Sequence, residues 1–331
     1  MNVSALEWGI TLGVTIAILL VDILVIARRP HEPSTRETSL ALSFYIGLAV
    51  LFGFFVWWRH GQDRGIEFFA GWLTEYSLSI DNLFIFIIIM ASFGVPRKYQ
   101  QEALLVGIIL ALIFRGVFIA VGAAAIENLS WVFYVFGAFL VYTAAKLAFG
   151  GDDDEGGENA VVRFARRRFR LSDEWHGLTL IVRENGKRAI TPMALVIVAL
   201  GTTDVMFALD SIPAIFGLTR EPYLVFTANV FALMGLRQLY FLIGGLLQRL
   251  VFLSYGLAFL LFFIGAKLVL EALHENELPF INGGEPVPVP VIPTLASLAV
   301  IVLTLAVTAV VSLWYSARHD QSESSTPSAQ E

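Results

Sequence analysis

Glu75 and Asp81 stand six residues apart in the apolar run Trp72-Leu-Thr-Glu-Tyr-Ser-Leu-Ser-Ile-Asp-Asn-Leu-Phe-Ile-Phe86. Asp204 and Asp210 repeat the spacing in Gly201-Thr-Thr-Asp-Val-Met-Phe-Ala-Leu-Asp-Ser-Ile-Pro-Ala-Ile-Phe-Gly217. An acid at the centre of a bilayer costs roughly 2.5–3.5 kcal/mol on insertion scales, so such groups mark ion paths or binding sites. On a helix, residues seven apart share a face and residues six apart do not. Glu75, Ser79 and Asn82 therefore form one stripe and Asp81 lies about 120° away. Asp204, Ala208 and Ser211 form the matching stripe, with Asp210 displaced in the same way. A straight helix aims these acids apart. A break near Pro213, or near Ser77 and Ser79, would let them converge and would free backbone carbonyls as ligands.

Carboxylate, amide, hydroxyl and carbonyl oxygens, without Cys or His, suit hard divalent cations: Mn²⁺, Ca²⁺ or Mg²⁺. Met206 would add a soft thioether favouring Mn²⁺, or is packing. Asn229 is a neutral ligand or an interhelical hydrogen bond. The same carboxylates can carry protons, because burial raises their affinity for them. The competing reading is neutralisation of the acids by Arg115, Lys146, Arg237 and Lys267, which otherwise act in coupling or substrate release. Asp22, in the first apolar run, is a gate or an interfacial residue.

The elements that must position these groups are membrane helices. The 331 residues are 57% hydrophobic with 27 Phe, and the mean hydropathy is +0.73. Soluble domains are about 45–50% apolar. Nine apolar runs predict an all-α polytopic protein, with spans near 5–27, 39–58, 66–93, 100–125, 130–149, 190–217, 223–247, 250–272 and 291–316. Residues 1–149 hold five spans, 150–189 form a loop, 190–316 hold four spans, and 317–331 are a polar tail predicted to be disordered. The absence of cysteine excludes disulfides and thiol catalysis. The first run is read as a retained helix rather than a cleaved leader. No dinucleotide, phosphate-cradling or nucleic-acid motif is present, so no resident cofactor and no nucleic-acid partner are expected.

Fifteen loop Arg and Lys fall on one side of the predicted spans and three on the other, Arg59, Arg64 and Arg220. This places the N-terminus outside and the C-terminus in the cytoplasm. The 150–189 loop runs from an acidic Gly-rich stretch to the basic Arg163–Arg170 segment, which would contact anionic lipid or be a solvated linker. It ends in a β-hairpin predicted to turn at Asn185-Gly186.

The order acid, acid, Arg, Ala-Phe-Leu, Ala-Lys-Leu occurs twice: Glu75, Asp81, Arg115, Ala138–Leu140 and Ala145–Leu147, then Asp204, Asp210, Arg237, Ala258–Leu260 and Ala266–Leu268. Each copy spans three helices, 66–149 and 190–272. An odd number of spans makes this an inverted repeat, an architecture common in transporters with a midplane site.

The segments Trp72–Phe86, Asp210–Thr219, Pro222–Phe241 and Ile181–Lys187 resemble the signatures of the TerC/Alx family of integral membrane proteins, within a LysE-like transporter group, over about residues 5–318. The resemblance implies a multi-pass protein of the bacterial plasma membrane that exports Mn²⁺ by secondary transport, with Ca²⁺ as the alternative ion. It implies acidic ligands at Glu75, Asp81, Asp204 and Asp210, with Asn82 and Ser211 beside them. Relatives often carry an acid where this chain has Gly201. Some relatives are linked to tellurite resistance, which gives the alternative of a membrane scaffold docking through the 150–189 loop. An intramembrane aspartyl protease would also need two Asp, but the Gly-rich and Pro-Ala-Leu signatures of such enzymes are missing, and no enzyme activity is expected.

Overall fold

The computed structural model describes residues 1, 3–28, 34–128, 131–149, 172, 175, 177–184, 187–243 and 252–324. Within these, the side chains of residues 22–28, 81, 84, 127, 128, 184, 187, 243 and 319–324 are outside the described set. The helices are α1 (Ala5–Arg28), α2 (Thr35–His60), α3 (Gln62–Ser92), α4 (Arg97–Asn128) and α5 (Val132–Phe149), followed by α6 (Pro192–Phe216), α7 (Pro222–Met234), α8 (Leu236–Ile243), α9 (Leu253–His274) and α10 (Thr294–Ser324). Among the described residues, eight spans are long and apolar enough to cross a membrane, with α7 and α8 counted as one, and α1 contributes the shorter apolar stretch Ala5–Val21. The chain is an all-α polytopic membrane protein.

Local chemistry sets the helix boundaries. Ser34 caps α2 by accepting from the Glu37 amide at 3.2 Å. Thr191 caps α6 in the same way from Ala194 at 3.3 Å, with Pro192 at its first turn. The reversal between α2 and α3 takes one residue, Gly61, whose φ of 98° only glycine adopts without strain. A Cβ on Gly65 would stand 2.7 Å from Trp57 Cβ, so the two helices leave that turn in close contact.

Helix α3 is the central strut: α2, α6, α7 and α10 all pack on it. It also pairs with α7 as α4 pairs with α6, while α5 pairs with α9. Gly137 and Gly265 let α5 and α9 meet backbone to backbone, since a Cβ on Gly265 would lie 2.9 Å from the Gly137 carbonyl oxygen. Apolar side chains face outward in rows: Leu40, Phe44, Leu51 and Phe54 on α2, Ile113, Val117 and Val121 on α4, and Val302, Leu303, Val307 and Val310 on α10. In water such rows would be costly; in lipid they are the solvent-facing surface.

The expected helix breaks are not where the sequence puts them. Helix α3 runs unbroken through Ser77 and Ser79, and α6 runs unbroken through Pro213 to Phe216. Pro213 withholds one donor from the last turn only, so little is lost. Ser77 and Ser79 are buried, and at membrane depth no bulk water takes over the backbone carbonyls, so the helical ladder is retained. The break lies instead in the seventh span, at Gly235 between α7 and α8. A Cβ there would meet Leu42 at 3.3 Å and the Tyr76 ring at 3.8 Å, so α2 and α3 press on the joint.

The hairpin of the long loop is present as β1 (Ile181–Glu184) and β2 (Lys187–Ile190), antiparallel with Ile181 opposite Ile190. Its turn residues Asn185 and Gly186, and the acidic and basic stretches at 150–170, lie outside the described residues.

Candidate functional site

Four helices converge on one buried guanidinium. Arg115, on α4, is 1% exposed and is among the largest fully buried side chains. Its Nη1 pairs with Glu75 Oε1 of α3. The same nitrogen donates to Asn229 Oδ1 of α7 at 2.9 Å. Its Nη2 donates to Asp204 Oδ1 of α6 at 3.1 Å. Glu75 is fully buried, and Asp204 and Asn229 are nearly so. Asn229 also ties its amide nitrogen to the Val225 carbonyl of its own helix at 3.2 Å, which leaves the oxygen aimed at the arginine. Removing one partner of such a buried pair costs about 3–5 kcal/mol, because the remaining charge is left uncompensated.

The cluster is not saturated. Glu75 Oε2 and Asp204 Oδ2 have no hydrogen-bond partner, and neither do the hydroxyls of Ser77, Ser79 and Ser211. All five residues are buried. Ser79 lies one turn from Glu75 and Ser211 two turns from Asp204, on the stripes read from the sequence. The large majority of buried side-chain polar atoms are paired, so a group of unpaired ones calls for an explanation such as an ion or a bound water. Asn82 is buried on the Glu75 stripe.

The second acid of α6 is held elsewhere. Asp210 is only partly buried and accepts from Thr143 Oγ1 of α5 at 3.1 Å. Thr143 stands one turn before Lys146, a residue the sequence does single out, and that spacing was the one available signal for it. Asp81 sits in α3 with its side chain outside the described residues, as does that of Asp22 in α1. Among the described residues, no three acidic or histidine side chains stand close enough together to hold a metal ion. Arg115 occupies the space between Glu75 and Asp204 instead.

The structure also places other residues that the sequence singles out. Met206 is 64% exposed and faces away from the cluster, since it stands two positions from Asp204 on the helix. It does not supply a thioether. Gly201 faces apolar neighbours, with Leu110 3.5 Å and Phe114 4.0 Å from an added Cβ. The basic residues make different contacts. Arg115 pairs with Glu75 and Asp204, whereas Arg237, at the start of α8, donates to the Gln238 amide oxygen at 2.9 Å once that amide is turned to let its nitrogen reach the Met234 carbonyl. Lys267 is buried on α9 and donates to the Gly217 carbonyl at 2.8 Å.

Lys267 borders a cavity of about 440 Å³ at the end of the bundle where α6 meets α7. Its polar walls include Arg64, Glu67, Thr219, Arg220 and Glu271. Arg64 pairs with Glu67 at 2.7 Å and Glu221 at 3.1 Å. Arg220 pairs with Glu271 at 3.0 Å, and the Thr219 hydroxyl donates to Glu67 at 2.6 Å. The rim is thus charged but internally neutralised. Sequence inspection misses it, because its members come from four separate segments.

Residues 60–320 match the family described as "Integral membrane protein TerC family". The chain belongs to the TerC family. An uncharacterized membrane protein of Mycobacterium tuberculosis strain H37Rv is 48% identical over 319 residues, covering 95% of this chain and 80% of that relative. An uncharacterized membrane protein of Myxococcus xanthus is 36% identical over 264 residues, covering 80% of this chain and 83% of that relative. A protein of Escherichia coli K12 called putative membrane-bound redox modulator Alx is 35% identical over 329 residues, covering 96% of this chain and 97% of that relative. No solved structure matches the chain. Membership in TerC agrees with the resemblance read from the acidic segments.

Proposed function

We propose that this TerC protein is a secondary transporter that exports a divalent metal cation, manganese first, through the buried acids of α3 and α6. The observation that carries the reading is the set of unpaired oxygens on Glu75 and Asp204, with Ser79 and Ser211 on the same helix stripes, inside membrane-spanning helices. An oxygen-only donor set of that kind suits a hard cation. The pairing of α3 with α7 and of α4 with α6, across an α5–α9 contact, supports two inverted halves related by a twofold axis, the architecture in which one half rocks against the other. Asp210 with Thr143 serves as a second station on the path, and the charged cavity at Lys267 as the exit on the outer face. Protons carried in the opposite direction on the same carboxylates would drive the cycle. The chain has no cysteine and offers no thiol for exchange, so a redox effect such as the relatives' name suggests would follow from the cation moved.

The test is Mn²⁺ flux in proteoliposomes at two imposed pH gradients, comparing wild type with Asp204→Asn and Asp210→Asn. The expected result is flux that follows the gradient and falls by at least about tenfold in either variant, the loss of one charge-assisted ligand at about 1.4 kcal/mol per decade. Absence of Mn²⁺ flux in folded wild type would reject the transport reading and leave the membrane scaffold.

A further inference from the structure

We propose that the Arg115 guanidinium is a built-in stand-in for the transported cation, filling the space between Glu75 and Asp204 whenever that space holds no ion. The inference rests on the transport reading above and names the device that lets the empty carrier return.

Three observations carry it. First, Arg115 makes one contact to each acid rather than a two-pronged grip on either: Nη1 to Glu75 Oε1 and Nη2 to Asp204 Oδ1 at 3.1 Å. A guanidinium placed only to neutralise a carboxylate usually takes both of its oxygens. Here each acid keeps one oxygen, Oε2 and Oδ2, without a partner, and Arg115 Nε lacks one too. Second, like charges oppose joint occupancy. The two acids with Arg115 carry one net negative charge, and the two acids with a divalent cation carry none. With both present, the guanidinium and the divalent ion would face each other unscreened between the same two acids and repel. The cation and the arginine therefore compete for that space. Third, Arg115 belongs to α4, which packs on both α6 and α7. Its departure from the acids therefore moves against two helices of the other half.

The consequence concerns the return step. Two bare buried carboxylates facing each other resist the passage of an empty site through the membrane interior. With Arg115 between them the empty site carries one negative charge instead of two, and a single proton on either acid neutralises it for the return. Net export then depends on Arg115, whereas exchange of metal for metal, in which the site is never empty, does not.

Arg115→Gln, assayed with Mn²⁺ in proteoliposomes, separates the two. Net flux is expected to fall about tenfold, and apparent Mn²⁺ affinity to rise by a similar factor as the competitor is removed. Mn²⁺–Mn²⁺ exchange should persist. Arg115→Lys retains a cation and should recover part of the net flux. Loss of exchange together with net flux, in protein that is monodisperse and melts like wild type, would assign Arg115 a structural role and overturn the inference. Unaltered net flux would do the same. If Arg115→Gln does not fold, Arg115→Lys decides: a changed affinity and net flux with intact exchange supports the stand-in, and no change in either rejects it. A wild type that moves no Mn²⁺ at all removes the transport reading itself, a result distinct from failure of either variant.

Discussion

At the scale of single residues, the arrangement around Arg115 shows why paired acids in the sequence do not by themselves define a metal centre. Glu75 and Asp204 were legible from residue type alone, since ionisable groups deep in apolar runs are costly. Their separation by Arg115 was not legible, because nothing in the spacing says whether a buried base on another helix pairs with an acid or avoids it. Asn229 was readable as a polar residue among apolar ones, and its bond to Arg115 at 2.9 Å gives it a place in the cluster. Thr143 had only its spacing from Lys146 to mark it, because a threonine in an apolar helix usually bonds to its own backbone. Its contribution can be measured. Thr143→Val deprives Asp210 Oδ1 of its donor and should cost about 1–3 kcal/mol of stability, read by thermal unfolding in detergent. Thr143→Ser should restore it. A valine variant as stable as wild type would show that Asp210 is supported by other groups.

Among elements, the spans were readable and the break was not. Apolar runs of membrane length fix where helices lie within a few residues, as with α6 at Pro192–Phe216 against the expected 190–217. Proline and serine in the third and sixth spans suggested discontinuity there. They are outvoted by the need to satisfy every backbone carbonyl at membrane depth. Gly235, which carries no such local signal, is the joint, because side chains of α2 and α3 press on it. Close helix contact is likewise a tertiary fact. Gly265→Ala would place a methyl group 2.9 Å from the Gly137 carbonyl and force α5 from α9. The expected outcome is a loss of about 1–3 kcal/mol, the usual cost of overpacking, seen as a lower melting temperature. A melt identical to wild type would mean that the two helices separate freely.

For the whole molecule, the Arg and Lys asymmetry of the loops predicts that Gly61, the 217–221 loop and the 275–293 segment face outward while the β1–β2 hairpin faces the cytoplasm. The cysteine-free chain suits a direct check. Glu285→Cys and Thr179→Cys place single thiols at exposed positions on the two sides. A membrane-impermeant maleimide applied to intact cells should label the first and spare the second until the membrane is opened; the reverse pattern would invert the topology. The outward apolar rows of α2, α4 and α10 belong to this scale too, and composition announced them before any helix was placed.

The seventh span ties these scales together. It has the lowest mean hydropathy of the eight, 1.3, and the largest buried share. Its polar content, Thr227, Asn229, Arg237 and Gln238, is tolerable only against other helices, with α7 packed on α3 and α4 and α8 packed chiefly on α2. During synthesis such a segment cannot partition into lipid on its own merit. It must wait beside the translocon for a bundle already holding α3 and α4 to receive it, so the helix that closes the Arg115 cluster is also the one whose membrane entry depends on earlier helices. Fused alone to an insertion reporter, residues 222–242 should insert poorly, and efficient insertion would show that the neighbours are not needed.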